Sequence, residues 1–288
     1  MKIKFLSLFL IVFSISLFSK DREYETLMWE VKSATNTVYL MGSIHYATKD
    51  FYPLHRSIED AFAKSDYLAL EFDINKANPF EIMKYAFFQD TTTLRSKLDS
   101  ATYIPLKAKL LELNIPESII LKMKPWFAII TAQITELKNV GFDAEMGIDK
   151  YFLGKAEKRK MKIFELESLQ EQIDIFLELE KYADSFVKIT LESIDDTVNT
   201  QNQIIEAYKN ADADALAKLL NEGNDSEEGK KINELMNDNR NFKMLEKIKT
   251  YLIDNKNYFV VVGAAHLVGE NGLVNLLQKT GKYKIKRF

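Results

Sequence analysis

An apolar, β-rich run ends in Met41-Gly42-Ser43-Ile44-His45. An amphipathic stretch follows, with Ile58, Ala61, Phe62 and Ser65 on one face, and then a second apolar run, Tyr67-Leu68-Ala69-Leu70-Glu71. Strand, helix and strand fit within the length of one βαβ unit, so the two strands are predicted to be parallel. A right-handed crossover puts their C-terminal ends on the same edge of a sheet. His45 and Glu71 are therefore expected to emerge together.

The rest of the chain extends this pattern. Leu27 to Val31 and Thr37 to Met41 flank the turn-forming Ser33-Ala34-Thr35-Asn36 and predict an opening hairpin. Helical periodicity dominates residues 79–156, with Pro105, Pro116 and Pro125 as punctuation. Met161 to Leu166 reads as another parallel strand, ending at Glu167. Residues 170–255 are again helical, broken by the polar loop "NEGNDSEEGKK", which reads as solvated. The strand "NYFVVV" then runs into Gly263-Ala264-Ala265-His266, a helix covers "LVNLLQK", and "YKIKRF" closes the chain after Thr280-Gly281. The expected fold is α/β: a mostly parallel central β-sheet with two large helical insertions, about 79–156 and 170–255, covering the C-terminal strand edge. The two halves each read strand, Gly-x-x-His, helix, strand, which suggests an internal duplication.

With 288 residues, 47% hydrophobic and 28% charged, the chain can bury a sizeable core as one large or two small domains. A net charge of -3 leaves no electrostatic footprint for nucleic acid. The absence of cysteine excludes disulfides, thiolate ligands and a cysteine nucleophile. Lys2 and Lys4 precede the apolar run Phe5 to Phe18, which is shorter than a spanning helix needs, and Ser19 suits a cleavage site. Residues 1–19 are thus read as a signal peptide or N-terminal anchor and residues 20–288 as the working domain. This places the protein in the periplasm, secreted, or anchored to the outer face of a bacterial membrane.

Four strands end in His45, Glu71, Glu167 and His266, at the edge where open α/β sheets bind ligands. Gly42 and Gly263 are expected to let the chain leave the strand with φ > 0 or a tight turn, so that a residue three positions on can point back over the sheet end. Two imidazoles with one or two carboxylates suit a divalent metal such as Mn, Fe, Co or Zn. Without metal, the same set suits a general acid and base. Either arrangement would activate water. His55, beside Arg56 and Glu59, is expected to start a helix and face solvent.

These residues carry a family resemblance. "YLMGSIH", "PLHRSIEDAFAKSDYLALEFD", "KPWFA", "GFDAEMGIDKYFLGKA", "ELESLQEQI", Arg240-Asn241 and "VVVGAAHLVGENGLVNLL" occur in the order of the TraB/GumN family, which is related more distantly to Tiki metalloproteases and to erythromycin-esterase and ChaN-like folds. The resemblance implies a site of His45, His266, Glu71 and Arg240, and draws attention to Asp149 and Asn241. It implies a hydrolase, most readily a peptidase dependent on Mn or Co rather than Zn and acting on a peptide or protein. His45, Glu71, His266 and Glu167 would hold the ion, and Arg240 would stabilise an oxyanion or a substrate carboxylate. A non-catalytic protein that sequesters a peptide or a cofactor such as haem in the same cleft is the alternative. Where many members carry Trp followed by Gly-Asp, this chain has Tyr208 and "NADADALAKLL", a departure that bears on substrate identity.

Overall fold

A computed structural model of the chain describes residues 26–288, apart from 196 and 222–225. The signal or anchor segment lies outside the described residues.

Ser33 and Asn36 close the first turn through the bond from the Ser33 N–H to the Asn36 carbonyl, 3.0 Å. The Asn36 side-chain amide ties that turn to the Tyr251 carbonyl, 2.7 Å away. The strands it joins, β1 (Met28–Lys32) and β2 (Thr37–Ser43), are antiparallel. The remaining strands are β3 (Tyr67–Leu70), β4 (Lys162–Glu165), β5 (Tyr258–Gly263) and β6 (Lys284–Arg287). They form one sheet in the order β4-β3-β5-β2-β1-β6. β2, β5, β3 and β4 pair in parallel, while β1 runs against both β2 and β6. This is the mostly parallel α/β fold that the pattern predicts.

β2 and β3 are parallel but not neighbours, because β5 inserts between them. The chain's last buried strand, "YFVVVG", is apolar on both faces and fits the centre of the sheet, where parallel strands are covered on both sides. This insertion sets His266 laterally between His45 and Glu71.

The helices are α1 (Arg56–Ala63), α2 (Pro79–Ala86), α3 (Ser100–Glu112), α4 (Glu117–Ile120), α5 (Pro125–Asn139), α6 (Ile148–Lys158), α7 (Leu169–Leu179), α8 (Ala183–Asp195), α9 (Thr197–Lys209), α10 (Ala213–Asn221), α11 (Glu227–Asn233), α12 (Asn239–Tyr251) and α13 (Leu273–Lys279). A π turn, Glu234–Asp238, joins α11 to α12. The insertions divide their work between two cores. Phe152 of α6, Leu216 of α10 and Met244 and Ile248 of α12 join the sheet core. Leu106, Leu110, Trp126, Ile129 and Val187, from α3, α5 and α8, build a second apolar core with Ile120 and Ile232.

The solvated loop expected over "NEGNDSEEGKK" is corrected in its second half. Ser226 caps a helix through its hydroxyl, which accepts from the Gly229 N–H at 2.9 Å. A serine N-cap followed by two glutamates in the first turn is a helix start, and the charge density of the stretch masked it. No helix among the described residues is long and apolar enough to cross a membrane.

Candidate active site

Parallel pairing of β2 and β5 sets Gly42 beside Val262 and Ser43 beside Gly263. The two Gly-x-x-His turns therefore leave the sheet together. Gly42 has no room for a side chain: a Cβ there would lie 3.2 Å from the Leu27 carbonyl oxygen and 3.3 Å from Ala264 Cα. Its own carbonyl accepts from the Tyr208 hydroxyl at 2.7 Å.

Gly263 matters for a different reason. Its φ of -50° is open to any residue, but a Cβ would meet Glu71 Oε1 at 3.2 Å, His266 Cδ2 at 3.6 Å and His45 Nε2 at 3.6 Å. All three side chains therefore surround one point in front of the Gly263 Cα. The geometry brings together what the sequence pattern predicts at the strand ends.

Glu71 follows β3 directly and is buried. Its Oε1 accepts from the Gly263 N–H at 2.5 Å and its Oε2 from Arg240 Nη2 at 2.6 Å. Arg240 comes from the first turn of α12 and holds Glu167 at the same time, donating from Nε to Oε1 at 2.9 Å and from Nη2 to Oε2 at 2.6 Å. Nη1 donates to the Met236 carbonyl at 3.0 Å, within the π turn. This forked, planar donor set matches two carboxylates as an ammonium could not. Arg240 is thus engaged with Glu71 and Glu167, and Glu167, only 2% exposed, is its ion-pair partner.

Each histidine has its own orienting group. The Asn241 side-chain amide donates to the Asn271 carbonyl at 2.9 Å, which turns its Oδ1 toward His266 Nδ1 at 2.7 Å. His266 must therefore carry its proton on Nδ1, leaving an Nε2 lone pair 3.7 Å from Glu71 Oε1. Two acceptors face each other, an arrangement that calls for a donor such as water between them. His45 Nδ1 lies 3.3 Å from Asp149 Oδ1, which also accepts from the Ser43 hydroxyl at 2.9 Å.

Electrostatics separate the two imidazoles. Burial lowers the basicity of His45, but the hydrogen bond and charge of Asp149, with Glu71 beyond, reverse this and raise its pKa to about 9. The outer face of the ring is open to solvent, with 56% of the side chain exposed, so the pairing with Asp149 dominates. His266 is 4% exposed, and burial pushes it below the ordinary imidazole value despite the opposing charge of Glu71. Burial also opposes ionisation of Glu71, yet His266, Arg240, His45 and the Gly263 N–H outweigh it and hold the carboxyl at about 2. A neutral His266 lends Glu71 no positive charge at neutral pH. The permanent cation of Arg240, in direct contact, is then its main counter-ion.

The donors do not fit the expected divalent metal. Both oxygens of Glu71 are occupied by N–H donors, Glu167 is locked to Arg240, and a guanidinium stands where an ion would neutralise the carboxylates. Among the described residues, no group of three or more His, Asp or Glu side chains is arranged to hold a metal ion. His45, Glu71 and His266 instead converge beside Gly263, with Glu71 and Glu167 braced by Arg240.

A cavity of about 320 Å³ opens onto this edge, lined by His45, Glu71 and Gln172 together with the apolar Leu70, Phe72 and Ile74. His55 lies elsewhere, capping α1 by accepting from the Ser57 N–H. Ser43, Gln172 and Asn271 were not legible as site residues, and Tyr208 drew notice only as a departure from the family pattern. The hydroxyl inside Gly42-Ser43-Ile44-His45 was the one available signal. The other three act through single hydrogen bonds from distant helices and loops.

A mostly parallel sheet with paired Gly-x-x-His turns and an arginine-braced glutamate defines a class of α/β proteins with one composite site. The chain belongs to the TraB/PrgY/gumN family, whose model matches residues 27–287 and so spans the sheet and both insertions. It is also similar to the "Uncharacterized protein YbaP" of Escherichia coli (strain K12) and that of Shigella flexneri, each 26% identical over 142 residues, covering 49% of this chain and 52% of the relative. The chain thus spans about half the length of the curated relatives it matches. No solved structure gives a significant match.

Proposed function

We propose that the chain is a hydrolase of peptide bonds that works by paired imidazole acid–base chemistry. Neutral His266 takes a proton on Nε2 from a water held beside Gly263, and that water attacks the substrate carbonyl carbon. Ionised Glu71 stabilises the imidazolium so formed. His45, charged through Asp149, donates from Nε2 to the developing oxyanion. The C–N bond breaks as His266 returns its proton to the leaving amine, giving a carboxylic acid and an amine, and proton transfer between these products leaves a carboxylate and an ammonium. Arg240 and Asn241 are positioning residues for Glu71 and His266, and Asp149 for His45.

One observation carries this reading: His45 Nε2, His266 and Glu71 Oε1 all lie within 3.6 Å of the point a Gly263 side chain would occupy. A peptide suits the cavity because apolar and polar residues line it together, so a side chain and its neighbouring amide could be held together. The family resemblance implies the same substrate class.

Incubating the purified chain with a mixed peptide library and reading the products by mass spectrometry tests the proposal. Cleavage is expected to survive chelator and to be lost in Glu71→Gln and His266→Gln. Cleavage that requires added Mn or Co would overturn the metal-free mechanism. Tight peptide binding without any cleavage would overturn the hydrolase reading in favour of sequestration.

A further inference from the structure

The proton on His266 Nδ1 depends on a run of hydrogen bonds that continues past Asn241. The buried Asn241 amide has two ends, and either could face the ring. With the amide reversed, its Nδ2 would donate to Nδ1, the ring proton would sit on Nε2, and that N–H would face Glu71 Oε1, 3.7 Å away. Such a His266 would donate to Glu71 and offer no lone pair to water. What opposes the reversal is the Asn271 carbonyl, an acceptor only, 2.9 Å from Asn241 Nδ2. Reversed, the amide would set two oxygens against each other.

The Asn271 carbonyl must itself be held in place. Asn271 lies in the loop that follows His266, which turns at Gly269, with φ +83°, and closes as the Gly272 N–H donates to the Gly269 carbonyl at 3.2 Å. Its side chain donates to Asp238 Oδ2 at 3.0 Å. Asp238 ends the π turn with helical backbone angles, φ -62° and ψ -50°, so it shares a face with Asn241, three residues on. One helix face thus grips one loop residue at two points: Asp238 takes the Asn271 side chain and Asn241 takes its carbonyl. Asp238, Asn241 and Asn271 line a cavity of about 260 Å³. The grip therefore lies against open space rather than inside either apolar core, and it can be cut without removing core side chains.

We infer that Asp238 is a positioning residue: by anchoring Asn271 it fixes the Asn241 amide and so selects the His266 tautomer whose Nε2 lone pair faces the site. The selection is independent of the chemistry. Its effect on turnover rests on the hydrolase reading, in which that lone pair is the base.

The chain has three histidines, and long-range proton–nitrogen correlation spectra of isotopically labelled protein show which ring nitrogen of each carries the proton. Wild-type His266 should be protonated on Nδ1 at neutral pH. Asp238→Ala and Asn271→Ala cut the same bond from its two ends, so each should move about half or more of His266 to the Nε2–H tautomer, and the double variant should go no further than the larger single effect. Asp238→Asn keeps an acceptor oxygen in place and should leave the proton on Nδ1. With a cleaved peptide, kcat should fall by the factor by which the Nδ1–H population falls, with KM unchanged, and recover in Asp238→Asn. A merely structural role would move the melting temperature and not the tautomer. His266 staying protonated on Nδ1 in both alanine variants overturns the inference, as does an Asp238→Asn shift equal to that of Asp238→Ala. If Asp238→Ala does not fold, Asn271→Ala decides from the other end of the bond. A tautomer shift in a protein that cleaves no peptide keeps the role of Asp238 and removes the hydrolase, whereas wild-type cleavage with an unmoved tautomer does the reverse.

Discussion

Gly263→Ala should separate catalysis from stability. The backbone at this position, φ -50°, accepts alanine without strain, and replacing glycine there removes freedom from the unfolded chain worth about 0.4–1 kcal/mol. Against that gain, the new methyl would lie 3.2 Å from Glu71 Oε1, so the carboxylate must yield by a few tenths of an ångström. These effects oppose each other, leaving a net change within about 1 kcal/mol, or under ~4 °C in melting temperature for a chain of this size. Function should respond very differently. The methyl, 3.6 Å from both His266 Cδ2 and His45 Nε2, takes the space in which water must meet the base, and loss of positioned proton transfer costs typically ~100-fold or more. Calorimetry and steady-state kinetics on a cleaved peptide give the two numbers. Wild-type turnover in the alanine variant would refute the shared-point geometry. A melting point lower by ~10 °C would show instead that Gly263 is needed for folding.

Other perturbations follow from the same contacts. Arg240→Met leaves Glu71 and Glu167 buried without their cation and should cost about 3–5 kcal/mol in urea unfolding, whereas Arg240→Lys should cost less while still lowering turnover, because it keeps charge and loses the fork. Glu71, held at about 2 against an ordinary 4.5, contributes stability that is present above pH ~4.5 and lost as pH falls toward 2. Unfolding midpoints across that range should fall more steeply in wild type than in Glu71→Gln. Gly147→Ala would set a Cβ 2.5 Å from the His45 carbonyl oxygen, so the His45 turn must move. A loss of about 1–3 kcal/mol is expected with weakened His45–Asp149 pairing, readable as a fall in the His45 pKa by NMR titration.

The strands that carry the site could be read from the chain because each is a short apolar run ending in a turn or an acid, as in "YLMG" and "YLALE". Their spatial order could not. The pairing of β5 with both β2 and β3 joins segments about 220 and about 190 residues apart, and nothing local in "YFVVVG" specifies which gap it fills. Glu167 shows a related limit: a carboxylate at a strand end suits a metal equally well until a guanidinium from 73 positions downstream is seen to hold it. The helical insertions were visible as periodicity, but an apolar face does not declare its partner. Whether Leu106 and Trp126 join the sheet or a second core depends on contacts between helices that the pattern leaves open. Asn241 and Asp149 drew notice only through family likeness, since their roles rest on the tautomer and charge of histidines far away in sequence.

The pH dependence of kcat/KM for wild type and Asp149→Asn tests the paired-imidazole mechanism most directly. His266, lowered by burial, is neutral and competent as a base down to a pH below the ordinary imidazole value, and His45 stays charged until about pH 9. Wild type should therefore give a bell whose acid limb lies below ~6.5 and whose alkaline limb lies near 9. Removing the carboxylate of Asp149 should bring the alkaline limb down toward ~6.5 and leave the acid limb in place. An alkaline limb that does not move in Asp149→Asn would contradict a charged His45 and, with it, the division of roles between the two histidines.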